Sequence, residues 1–139
     1  MVKIESPVPV LQVADVERSA TWYASVFGFD ADPFPDTPPY SFAILRRDCM
    51  EIMLQCSEGA SNESRRSGWS VYLRMAGGGL LEFAEAARKH TELKREPERM
   101  FYGQVEFEVV DPDGHVICVA ESLPGEANVP RAREGQRSA

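Results

Sequence analysis

Apolar residues recur along this chain with two different periods, and the positions where the period changes mark its elements. Residues 8–13 (VPVLQV) carry the dense apolar pattern of a short strand. At Asp15 the period lengthens: Val16, Ala20, Tyr23 and Phe27 fall three or four residues apart and make one face of a helix. Asp15 suits the N-cap of that helix and Gly28 the left-handed position that ends it. Pro33, Pro35, Pro38 and Pro39 then predict a loop or an irregular edge strand, because proline has no N–H for a ladder. Residues 40–45 and 49–56 return to a strand pattern and read as a hairpin turned at residues 46–48.

A polar segment, 57–68, is rich in Ser, Asn, Glu, Arg and Gly and reads as a linker. Beyond it the same order returns. Residues 69–75 predict a strand. Leu80, Leu81, Ala84 and Ala87 form the apolar face of a helix ending near His90. The charged stretch 92–99 holds a short edge strand and a loop. Residues 104–110 and 116–121 form the last hairpin, joined by Asp111-Pro112-Asp113-Gly114-His115. There Pro112 presets φ for a turn and Gly114 takes a φ that other residues resist. Strand–helix–strand–strand–strand therefore occurs twice, as repeat 4–56 and repeat 69–121 of a single domain spanning 1–121. The tail, 122–139, has few apolar residues and is expected to be flexible.

Composition narrows the partners. The chain has 139 residues, enough for one domain with a real core, and a net charge of −7 from 22 acidic and 15 basic side chains. That charge argues against nucleic acid, whose phosphates call for a basic face. No stretch approaches the roughly 20 apolar residues that span a bilayer, and the first ten residues lack the apolar run of a secretion signal. Cys49, Cys56 and Cys118 are odd in number and lack metal-binding spacing, so they are expected to be reduced thiols of a cytoplasmic protein.

Few residues invite catalysis. Ala76-Gly77-Gly78-Gly79 lies between a strand and a helix, as a phosphate cradle would. It lacks the GxGxxG pattern and the Lys-Ser/Thr pair, so the glycines read as a turn. His90 sits at a helix C-terminus, where it suits the dipole, and His115 is expected at the solvent or a pocket rim. No Ser/His/Asp arrangement is visible, and no catalytic residue is assigned.

Three stretches together resemble the glyoxalase/bleomycin-resistance/extradiol-dioxygenase superfamily, the vicinal oxygen chelate proteins, over roughly residues 4–121. They are SPVPVLQVADVERSATWY, GWSVYLR and FYGQVEFEVVDPDGHVICVAE. The resemblance implies an α+β fold: two βαβββ repeats forming a curved mixed sheet around a cleft, with helices on the outside. In metal-dependent members the ligands are His, Glu or Gln from the first strand, the start of the second repeat and the last strand. The matching positions here are Val8, residues 68–70 and Cys118, which carry neither His nor carboxylate. Cys118 reads as a small buried thiol more readily than as a soft-metal ligand. No metal or other cofactor is therefore expected.

Within the superfamily the likeness is strongest to the bleomycin-resistance proteins, which are metal-free dimers that sequester their drug. It implies that Pro9 is the hinge by which the N-terminal strand exchanges between subunits. It also places Tyr102 where the family has a ligand-stacking tryptophan. Period-2 alternation puts Glu106 and Glu108 on one face of the 104–110 strand, either a solvated face or an acidic wall of the cleft. Trp69, Tyr102, Glu106, Glu108 and Cys118 are the expected ligand-binding residues. The expected protein is a homodimer that sequesters a small organic ligand, a bleomycin-like antibiotic or another aromatic or cationic metabolite. The alternative is a lyase, isomerase or dioxygenase of the same fold with non-standard metal ligands.

Overall fold

The computed structural model describes residues 1–60, 68–125 and 129–132. Its elements run β1 (Val10–Val13), α1 (Val16–Phe27), β2 (Asp30–Phe34), β3 (Phe42–Arg47), β4 (Met50–Cys56), β5 (Val71–Arg74), α2 (Leu80–Arg88), β6 (Leu93–Arg99), β7 (Val105–Val110) and β8 (Val116–Glu121). The strands form two four-stranded mixed sheets with the same topology, β1-β4-β3-β2 and β5-β8-β7-β6. In each, the first strand pairs parallel with the last and the remaining pairs are antiparallel. The twofold βαβββ order predicted from the pattern is the order of the fold.

Each helix buries its apolar stripe on one face of its own sheet. Val16, Ala20, Tyr23 and Phe27 of α1 are buried together with Leu11, Val13, Ala43, Leu45, Ile52 and Leu54. The Asp15 side chain accepts from the Arg18 amide at 3.0 Å, and Gly28 closes the helix at φ 72°. Leu80, Ala84 and Ala87 of α2 are buried with Val105, Phe107, Val109, Ile117 and Val119. Phe27 and Phe83, with ring centroids 5.9 Å apart, join the two repeats' cores.

The boundaries differ from the sequence reading by a few residues. The first hairpin turns at Asp48-Cys49, with Asp48 in the left-handed region at φ 52°, and β1 starts at Val10. Helix α2 ends at Arg88, two residues before His90. Gly77, Gly78 and Gly79 all have positive φ, which only glycine adopts freely, and Glu121 accepts from the amides of Gly78 and Leu80. The glycine run is thus a turn whose helix start is capped by a carboxylate from β8. His115 is corrected: it is buried, with one ring nitrogen 2.8 Å from the Gln12 carbonyl oxygen and the other 3.2 Å from Ser70 Oγ. It bridges the two repeats and does not face solvent.

Of the predicted linker 57–68, residues 61–67 lie outside the described residues, as do 126–128 and 133–139 of the tail. Within the tail, Pro130 and Ala132 hydrogen-bond the backbone of Arg99, whose guanidinium donates to the carbonyls of Leu123 and Pro124. No helix among the described residues is long and apolar enough to cross a membrane.

Candidate functional site

The strands of the second sheet send alternate side chains to opposite faces. One face packs on α2. The other carries Tyr72 of β5, Cys118 of β8, and Glu106 and Glu108 of β7. Register brings these together, with Cys118 opposite both Tyr72 and Glu108. Glu106 is 0 % exposed and Glu108 1 %. Carboxylates so far from water need a cation and hydrogen-bond donors.

Both are supplied. Arg95 Nη2 of β6 lies 2.9 Å from Glu106 Oε1 and 2.9 Å from Glu108 Oε2, and its Nη1 is 3.9 Å from Glu98. Burial works against the Arg95 charge, and the hydrogen bond and charge of Glu108, with the hydrogen bond to Glu106, outweigh it. Tyr72 and Tyr102 donate their hydroxyls to Glu106 Oε2 at 2.6 and 2.5 Å, and Trp69 Nε1 donates to Glu108 Oε2 at 2.8 Å. Trp69 also packs against Tyr72 with ring centroids 4.9 Å apart. Trp69 and Tyr102 remain 37 % and 40 % exposed. The result is a rim of aromatic rings anchored by their polar tips on a buried acidic pair.

The ionisation states follow from this packing. Burial first, then the hydrogen bond to Glu106, pushes both the Tyr72 and Tyr102 phenols above the ordinary range, so both stay protonated donors. Burial, then the charges of Glu106 and Glu108, likewise pushes the Cys118 thiol up. A thiol held protonated is neither a nucleophile nor a ready metal ligand.

The expected site residues Trp69, Tyr102, Glu106 and Glu108 are therefore in mutual contact, and Cys118 lies on the same face of the sheet. The polar face of β7 is neither solvated nor an open acidic wall; its own neighbours cover it. Two members of the cluster escaped the sequence reading. Tyr72 was legible, since it alternates with the core residues Val71 and Leu73. Arg95 was not, because register shifts on both sides of it break the alternation of β6. Pro9 precedes β1, its carbonyl accepting from the Met53 amide, and residues 1–7 are exposed. Here β1 pairs with β4 of the same chain.

The residues do not fit a metal. Among the described residues no group of three or more His, Cys, Asp or Glu side chains is arranged to hold one. Glu106 and Glu108, the carboxylates nearest Cys118 along the register, already accept from Arg95 and the ring donors.

The comparisons with known proteins agree with the fold. A bleomycin-binding protein crystallised with bleomycin matches at 22 % identity and a TM-score of 0.68, over 86 % of this chain and 100 % of that one. The bleomycin-binding protein of Streptomyces verticillus, crystallised with copper(II)-bleomycin, matches at 21 % identity and 0.64, over 89 % and 99 %. TioX from Micromonospora sp. ML1 matches at 18 % identity and 0.66, over 84 % and 97 %. No curated protein sequence matches the chain. The family model described as Glyoxalase/Bleomycin resistance protein/Dioxygenase superfamily matches residues 6–119. With that match spanning both repeats, the chain belongs to the glyoxalase/bleomycin resistance protein/dioxygenase superfamily.

Proposed function

We propose that this protein is a non-catalytic binder of a planar aromatic small molecule that carries positive charge, with a bleomycin-like antibiotic as the leading candidate. The observation that carries the reading is the anchored ring cluster. Trp69, Tyr72 and Tyr102 are held in place by hydrogen bonds to a buried acidic pair, and two of them still present open surface. Pre-oriented rings stack on a planar ligand without first losing rotamer freedom. Three carboxylates, Glu98, Glu106 and Glu108, share the Arg95 guanidinium, which favours a cation on the rim.

Holding rather than transforming the ligand is supported by the same contacts. The carboxylates are engaged by donors, and the Cys118 thiol is kept protonated, so the cluster offers neither a free base nor a nucleophile. A homodimer with exchanged N-terminal strands is part of the proposal. The outer face of the first sheet exposes Val10 (47 %) and Phe34 (41 %) beside half-buried Phe42, Ile44 and Met53, an apolar surface suited to a second subunit.

The test is a titration of chelator-treated protein with metal-free bleomycin, followed by tryptophan fluorescence. Saturation near one ligand per subunit, at least tenfold weaker in Tyr102→Ala, is the expected result. Absence of saturable binding removes the drug reading. Turnover restored by a divalent metal would replace it with an enzyme. A monomeric mass by light scattering at micromolar concentration would remove the dimer.

A further inference from the structure

Ser70 and His115 are 45 residues apart in the chain, and the fold brings their side chains together. Ser70 Oγ lies 3.2 Å from His115 Nδ1, and His115 Nε2 lies 2.8 Å from the Gln12 carbonyl oxygen. A carbonyl oxygen only accepts, so Nε2 carries the ring proton, and in a neutral imidazole Nδ1 is then an acceptor. The Ser70 hydroxyl donates to it. This is the relation of a nucleophile to its general base, with a third group orienting the base. The separation falls within the roughly 2.6–3.2 Å reach of proton transfer.

Backbone contacts hold both residues in place. The His115 amide donates to Asp111 Oδ1 at 2.9 Å, and the His115 carbonyl accepts from the Asp111 amide at 2.9 Å. The Ser70 amide donates to the Val116 carbonyl at 2.8 Å. Exposure then divides the two roles. His115 is 3 % exposed, whereas Ser70 is partly exposed and lines an open cavity of about 1090 Å³. Residues 3–9 and 49–51 line the same cavity, with Val71 and Tyr72 next to Ser70 in the chain. The cavity meets the ring cluster at Tyr72. Two carboxylates, Glu5 and Glu51, and one ammonium, Lys3, are in its lining, which disfavours an anionic ligand.

We propose that Ser70 is a nucleophile that captures the acyl group of a small uncharged ester, with His115 as its base. As Ser70 Oγ attacks the acyl carbon, its proton passes to His115 Nδ1 and a new C–O bond forms. The bond from the acyl carbon to the leaving oxygen breaks, and that oxygen keeps the electron pair. It takes the proton back from Nδ1 and departs as the alcohol. No other reactant is needed. The acyl group now covers the approach to Nδ1, and the buried ring offers water no second one. The site is therefore a stoichiometric acyl acceptor that holds its product.

The experiment exposes the full-length protein to p-nitrophenyl acetate, follows p-nitrophenolate release, and locates the acetyl group by mass spectrometry of the digested chain. The expected result is a burst of one p-nitrophenolate per chain with the acetyl group on Ser70. Ser70→Ala should abolish that modification. His115→Gln, which keeps a hydrogen-bonding side chain but no base, should slow it by about a hundredfold or more. Acylation of Ser70 in the unaltered protein should also be slower in heavy water, which reports the proton transfer even if His115→Gln does not fold. Acetyl groups found only on amines or thiols overturn the proposal. So does a burst that survives Ser70→Ala, a wild-type rate in folded His115→Gln, or the same rate in heavy water. Circular dichroism establishes which variants are folded. The readouts are independent of bleomycin, so this proposal and that of the ring cluster fail separately.

Discussion

Two pairs of acidic residues, Glu106/Glu108 on β7 and Asp111/Asp113 in the turn after it, are spaced alike and buried alike, yet they do different work. Asp111 Oδ1 accepts from the amides of Asp113 and His115, and its Oδ2 from the Tyr23 hydroxyl of α1 at 2.7 Å. Asp113 accepts from the Ala14 amide at 3.0 Å, Ser19 Oγ at 3.2 Å and the half-exposed Arg18 at 3.4 Å. These donors are backbone groups or belong to the first repeat, so the turn bolts the second repeat to the start of α1. The glutamates instead accept from Trp69, Tyr72, Arg95 and Tyr102, all side chains of their own repeat. Those contacts hold the rings of one sheet face and do not tie the repeats together. Burial alone does not reveal a carboxylate's role; the origin of its donors does.

The comparison can be broken by mutation, beginning with the largest effect. Asp111→Ala leaves two amides and a buried phenol without an acceptor. At about 1–3 kcal/mol per orphaned buried group, a loss of roughly 3–5 kcal/mol is expected in denaturant unfolding. Retention of wild-type stability would mean that the bolt carries no weight.

Next, Arg95→Met strands two buried carboxylates and should cost about 3 kcal/mol. Adding Glu106→Gln and Glu108→Gln should recover most of it, because the uncharged amides no longer need a counter-ion. Failure of that triple variant to recover would place Arg95 in the fold's core framework, alongside the turn.

A smaller effect concerns pH. The phenols of Tyr23, Tyr72 and Tyr102 are all pushed above their ordinary value of about 10, chiefly by burial. A raised folded-state value means that the native state holds its proton longer than the unfolded chain. Stability from these groups is therefore complete below pH 10 and declines as pH rises toward the folded values. Unfolding midpoints measured from pH 8 to 11 should fall only above about pH 10, and less steeply in Tyr72→Phe. The smallest perturbation is chemical. A thiol reagent should modify exposed Cys49 and Cys56 in the native protein, and Cys118 only on unfolding.

Much of this was legible in the linear pattern. Val16, Ala20, Tyr23 and Phe27 predicted the stripe that α1 buries, because helix period depends on local geometry alone. Alternation along β7 correctly separated Glu106 and Glu108 from Val105, Phe107 and Val109. The turn at residues 111–115 was recognisable from Pro112 and Gly114. What escaped was every partnership between distant residues. Arg95 sits between register shifts that scramble the strand period, so nothing local says which way it points. His115 looked solvent-facing because its two partners, Gln12 and Ser70, come from other elements. Nothing near Asp113 in sequence announces that Ala14 and Ser19 will meet it.

By itself, then, the sequence determined the two repeated βαβββ units, the faces of their helices and strands, and the residue types available for binding. These depend on interactions between residues a few positions apart. Tertiary structure alone decided that one acidic pair joins the repeats while the other supports a rim of aromatic rings. It also decided that the His115 ring bridges the two repeats through Gln12 and Ser70. Such outcomes depend on which donors long-range packing brings within 3 Å, and no local pattern encodes that distance.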